Sequence, residues 1–309
     1  MLMRKLAACA MRGRVHAGAL IAASALVGWV LPFLLPFASC VSGALVGLAT
    51  LRQGVVEGLA VIALAVVMIA VFTVTGYGTP VPALVMGATM WLPVWLCAGV
   101  LRHTRDQGKS LVVAALLAAL FAGGIRLATG DATAWWQALL EHALTATKQY
   151  GSSPSIGPGE LEVAANLLNS MIAASMAVSL TLTVSIARWW QGLLYNPGGF
   201  GREFRALRLP KAVVLPAVAA LLGLTLATPA GELAGFLRDL CWVGAAILAF
   251  QGLALAHHRV NVTRSAGAWW LIGVYVLLLM LPQQMGLMLA AAGLADTLVD
   301  FRARSRGPA

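Results

Sequence analysis

Acidic residues are scarce in this chain. Its 309 residues include 11 Asp and Glu against 21 Lys and Arg, and charged residues of both signs make up only 10%. Soluble domains carry about 25%. With 60% hydrophobic residues and a mean hydropathy of +0.86, the chain has more apolar surface than a water-soluble fold of this length can hide. Cysteine is rare as well. Cys9, Cys40, Cys97 and Cys241 show no short spacing, so they form neither a zinc pattern nor a disulfide framework. Cys40, Cys97 and Cys241 read as small apolar side chains that pack. The chain also lacks a phosphate-cradling glycine loop, a nucleophile elbow, paired metal ligands and a close carboxylate pair. Nothing therefore points to hydrolytic or group-transfer chemistry, and no catalytic residue, metal or cofactor is expected. His257 and His258 are adjacent, would not face one metal from a helix, and are read as loop residues. The formal net charge of +10 does not imply nucleic acid, because the cations are scattered between apolar stretches rather than gathered on one domain. It suits a lipid bilayer with an anionic cytoplasmic leaflet.

What the chain has is unbroken apolar runs of about 17–25 residues. That is the length of a helix across roughly 30 Å of hydrocarbon, whereas a membrane barrel would show alternating segments of about 10 residues. The expected fold is an all-α, polytopic transmembrane helix bundle of about nine to ten spans with its N-terminus in the cytoplasm. It reads as a single integral membrane domain over 1–309, with spans in about 17–128 and 163–298.

Arg4, Lys5, Arg12 and Arg14 precede the first apolar run without any acid. This start mimics a secretory signal, and Phe37–Ala38–Ser39–Cys40 approaches a lipoprotein cleavage box. Because the apolar run continues to Leu51, two spans joined by a bend at Pro32 and Pro36 are the simpler reading. Gly43 and Gly47 lie one turn apart, as do Ala19 and Ala23, a spacing that permits close helix contact. Glu57 is read as a partner of Arg52. Residues 129–162 form the long outer segment, with Trp136, Leu139, Leu140 and Ala143 on one face of a surface helix and a loop over 151–159. The span at about 163–187 is unusually polar.

Residues 188–211 form the longest basic, non-apolar stretch, carrying five cations against Glu203. Cations beside a span resist translocation, and Trp and Tyr settle at headgroup depth. The stretch is therefore read as a cytoplasmic loop with Trp189, Trp190 and Tyr195 as interfacial anchors. Arg202, Arg205 and Arg208 are candidates for docking a partner. From Ala268 to Leu298 the chain is either one bent span or two short spans turning at Pro282–Gln284. The second option leaves only Arg126, Lys148 and Arg238 outside, whereas the first also exports Arg302, Arg304 and Arg306, so cation placement favours two spans.

Under this topology Arg126, Asn166, Asn169, Gln283 and Gln284 fall at one depth near the outer surface. Polar groups at membrane depth usually face the bundle interior. They are candidates for an outward-facing pocket for a small polar solute, and otherwise for interhelical hydrogen bonding.

Ala187–Arg188–Trp189–Trp190–Gln191, Leu194–Tyr195–Asn196–Pro197–Gly198–Gly199–Phe200, Glu203–Phe204 and Leu207–Arg208–Leu209–Pro210, with Gly293–Leu294–Ala295–Asp296 and Asp300–Phe301–Arg302, resemble the proteobacterial branch of the YybS-like bacterial multi-pass membrane proteins. That family is similar in fold to the S components of energy-coupling-factor transporters. The resemblance implies residence in the bacterial inner membrane, solute capture from outside and docking on a membrane coupling subunit. Ala19 and Ala23 correspond to the small-residue face that serves such docking. The chain differs from S components in having about ten apolar stretches rather than six. Two other readings stay open: a scaffold that recruits a partner through its basic inner loops, and a stand-alone secondary carrier.

Overall fold

The computed structural model of the chain describes residues 2–149, 157–227, 231–263 and 267–304, and no β-strand occurs among them. The helices are α1 (Leu2–Ala10), α2 (Arg14–Val30), α3 (Leu35–Gln53), α4 (Val55–Tyr77), α5 (Val81–Met86), α6 (Leu92–Thr104), α7 (Gln107–Thr129), α8 (Ala132–Gln149), α9 (Pro158–Tyr195), α10 (Gly199–Ala206), α11 (Lys211–Ala227), α12 (Glu232–Thr263), α13 (Gly267–Met280), α14 (Pro282–Val299) and α15 (Phe301–Arg304). The all-α, multi-pass expectation holds. An apolar helix stands at each of the ten expected spans.

Among the described residues, six helices are long and apolar enough to cross a membrane, or seven if the bent pair Gly199–Ala206 and Lys211–Ala227 counts as one. The sequence reading of about nine to ten spans is thus reduced on length. The 17 residues of α2 and the 14 of α13 reach only about 26 and 21 Å at 1.5 Å per residue, short of the hydrocarbon core. Helices break where proline removes the N–H, at Leu31–Pro32 and Leu281–Pro282. Pro93 instead follows a π-helical turn, Gly87–Trp91, that lets α5 and α6 continue as one span, a usual way to absorb a lost backbone bond.

The helices, read from sequence as one domain, group into two compact units: Met1–Ala114 with Ser179–Arg208, and Ala115–Val178 with Leu209–Ala309. The boundaries fall inside α7 and α9, where hydropathy carries no mark.

In the first unit α3 is the central helix, with Ala44, Leu45, Val46, Leu48 and Ala49 all buried. Small residues set its distances. A Cβ added at Gly43 or Gly47 would come within 2.8 Å of Thr183 or Ala187 on α9, so the expected close contact through these glycines is present. In α2 it is Gly18, packed on Leu64 of α4, that does this. Ala19 and Ala23 lie on the opposite, exposed face.

Glu57 accepts two bonds from Arg14, at 2.7 and 2.5 Å, not from Arg52 as the sequence reading had it. Gly54, at φ 125, breaks the helix between Arg52 and Glu57, and Arg52 lies over the Tyr195 ring instead. Trp29 stacks on Tyr77 at the far ends of the same two helices, so α2 and α4 run parallel. Arg14, Arg52, Glu57, Arg102 and Tyr195 share one end of the unit through the Arg14–Glu57, Arg52–Tyr195 and Arg102–Leu51 contacts. This is the arrangement that the alternating topology requires.

In the second unit α12 packs along α14. Gly252 faces the backbone of Leu289, and Gly293 faces that of Leu248, each so closely that a Cβ would strike a carbonyl. Gln251 of α12 accepts from the Leu209 N–H and donates to Gly293, Asp296 and Thr297, and Arg302 pairs with Asp296 at 2.9 Å. The C-terminal end of α14 therefore sits at the same end as Leu209. That agrees with two short helices around Pro282 rather than one bent span. His257 and His258, read as loop residues, are helical, because α12 continues to Thr263.

Candidate functional site

At the other end of the second unit, polar side chains from four helices meet. On α12, Glu232, Gly235 and Asp239 recur at spacings of three and four, which places them on one face. Arg126, near the end of α7, lies across that face. Its Nε donates to Asp239 Oδ2 at 2.7 Å and its Nη1 to Glu232 Oε2 at 2.7 Å. Gly235 is the floor of this cradle, since a Cβ there would run into the guanidinium. Gly123, one turn before Arg126, lies against Phe236.

The α9 helix supplies the remaining partners. Asn169 Nδ2 donates to Asp239 Oδ2 at 2.7 Å, and Ser170 Oγ donates to Asp239 Oδ1. Arg238 Nη2 donates to the carbonyl and side-chain oxygens of Asn166 at 2.6 and 2.7 Å. From α8, Trp136 Nε1 donates to Asn169 Oδ1 at 3.2 Å, and Trp136 packs with Ala132 and Ala165. Asp239 is 0% exposed and Arg126 8%. A carboxyl group taken this far from water needs hydrogen-bond partners, and Asp239 has three. Arg126 pairs with both carboxylates while Arg238 is held by Asn166, so two guanidinium groups and two carboxylates balance the cluster in charge.

Of the residues expected in a pocket, Arg126, Asn166 and Asn169 come together here. Gln283 and Gln284 do not join them. Both are exposed in the first turn of α14 and make none of the contacts of the cluster. Equal depth in a bundle fixes height and leaves rotation about the membrane normal open. Asp239, Ser170, Arg238, Glu232 and Trp136 were missed. The signal for Asp239 was present: an acid inside an apolar helix, seven residues after Glu232, is by default a functional position.

The basic stretch 188–211 is not a plain loop. The α9 helix runs on to Tyr195 because no breaker precedes Asn196–Pro197, and α10 follows a turn at Gly198, φ 77. Trp189 and Tyr195 are 39% and 46% exposed. Trp190 is 1% exposed and is no anchor, because one residue along a helix turns it about 100° inward. Arg202 is exposed, whereas Arg205 and Arg208 are engaged in interactions within the chain. A helix, α8, stands where the surface helix is expected, and over 132–147 it is largely exposed apart from its Trp136 end; the loop expected over 151–159 lies mostly outside the described residues. No group of His, Cys, Asp and Glu that could hold a metal occurs among the described residues.

No family model, curated protein or solved structure matches the chain.

Proposed function

We propose that this is a non-enzymatic, transporter-type protein of the bacterial inner membrane, with its N-terminus cytoplasmic, and that the Arg126–Asp239 cluster is where it handles a small polar solute. The observation that carries the reading is a buried arginine clasped by two carboxylates of one helix, with amide and hydroxyl donors from another, inside an otherwise apolar bundle. Charge at membrane depth is costly and tends to mark a solute or ion path. Such a pair is also exchangeable. An anionic solute competes with Asp239 and Glu232 for Arg126, and a cation competes with Arg126 for Asp239.

The resemblance to the YybS-like proteins, and through them to energy-coupling-factor S components, supports this reading and adds a membrane coupling subunit. The exposed Ala19 and Ala23 supply a face for it. A second reading, a membrane scaffold, draws on the exposed Arg202 of α10.

The test is purification in mild detergent with mass spectrometry of co-purifying small molecules and proteins, followed by reconstitution. A bound solute should be lost in Arg126→Lys and Asp239→Asn with the protein still monodisperse. A coupling partner should be lost when Ala19 and Ala23 are replaced by Leu. Retention of the solute by both cluster variants overturns the reading, and partner capture through Arg202 without any solute favours the scaffold.

A further inference from the structure

One end of the first unit has an open cavity of about 340 Å³, lined by Arg102, Arg105, Arg188, Gln191 and Glu203 over Leu51 and Leu101. Ligand pockets start at about 300 Å³. The three guanidinium groups come from the last turn of α6, the residue that caps it and the late turns of α9. Arg102 donates to the Leu51 carbonyl, and Arg188 makes a two-pronged pair with Glu203. Arg105 caps α6 at φ 54, and its side chain is exposed.

Leu101 and Arg188 also line an adjoining void of about 10 Å³, room for roughly one water. Gln107, 9% exposed, and Thr181 line that void with side-chain polar atoms that have no partner. The cavity thus has a charged mouth and unsatisfied polar groups behind it.

We propose that this cavity binds a phosphate oxyanion, supplied either as free phosphate or phosphate ester or as the headgroup of an anionic phospholipid. Three guanidinium groups against one carboxylate leave a surplus of positive charge on the walls of this one cavity. The planar donor fork of Arg matches phosphate oxygens two at a time. A tetrahedral anion spreads its oxygens in three dimensions and so meets Arg102, Arg105 and the Gln191 amide from different directions, whereas a carboxylate presents its acceptors in one plane. Glu203 serves as the internal substitute anion on Arg188, and an incoming phosphate competes with it. This inference is independent of the Arg126 cluster, which shares no residue with it.

The test is calorimetric titration of the purified full-length protein in mild detergent with inorganic phosphate. Separate titrations use short-chain phosphatidylglycerol, with short-chain phosphatidylcholine as the zwitterionic control. At least one of the two anions should bind saturably. Arg105→Gln and Gln191→Glu should each weaken that binding about ten-fold, the value of one charged hydrogen bond, and Arg4→Gln should leave it unchanged. Glu203→Gln should tighten it by removing the competitor, a gain that misfolding does not produce. Saturation by inorganic phosphate assigns a soluble ligand, and saturation by phosphatidylglycerol alone assigns a lipid headgroup. Absence of saturable binding of both anions, or affinities unmoved by Gln191→Glu and Glu203→Gln, overturns the proposal.

Discussion

The two units handle charge in opposite ways. In the second, two guanidinium groups and two carboxylates gather, Arg126 pairs with both carboxylates, and Asp239 receives donors from Arg126, Asn169 and Ser170. In the first, Arg102, Arg105 and Arg188 surround a cavity with only Glu203 to balance them. A closed, balanced cluster ties together the helices it joins and admits only what displaces its own partners, whereas an open, unbalanced one has capacity to spare. The same residue type therefore has different consequences in the two places.

That contrast sets the size of expected effects. Asp239→Ala leaves Arg126 buried with one carboxylate fewer, and should cost about 3–5 kcal/mol, read as a large drop in unfolding midpoint in detergent. Replacing Arg126 and Asp239 together by Met and Leu should recover most of that loss, because breaking a buried pair costs more than removing it. Gly252→Val places a side chain against the Leu289 carbonyl and should cost about 1–3 kcal/mol or more through overpacking. Trp136→Phe keeps an aromatic ring but loses the indole N–H that bonds Asn169 and part of the buried volume, for a loss of at least about 1 kcal/mol. Smallest is Arg14→Gln, whose ion pair is largely exposed and should leave the midpoint nearly unchanged. If Arg102→Gln, in the open cavity, destabilised the fold as much as Asp239→Ala, the contrast itself would fail.

Much of the fold was legible because hydropathy and proline report on length and breaks. The ten apolar helices, the turn at Pro282 and the close approach at Gly43 and Gly47 all followed from local sequence. The sharing of one end by Arg14, Arg52 and Arg102 followed from the resistance of cations to translocation. What stayed hidden depends on rotation about helix axes. Trp190 and Trp189 are neighbours with opposite exposures. Gln283 lies level with Arg126 in the expected topology but joins none of its contacts. Asp239 was masked by Arg238 beside it, which reads as the charged end of a span until the Glu232–Gly235–Asp239 face is drawn. The division into two units was hidden because it cuts through α7 and α9 rather than falling at a loop.

The brevity of α2, α11 and α13, at 17, 17 and 14 residues, has a consequence for the surrounding lipid. Where such rods line the perimeter, acyl chains must compress or tilt to meet them, at a fraction of a kcal/mol per ångström of mismatch. The protein should accordingly be more stable in bilayers of short-chain lipid than in thick, sterol-stiffened ones, so that membrane thickness becomes a selector of where it resides.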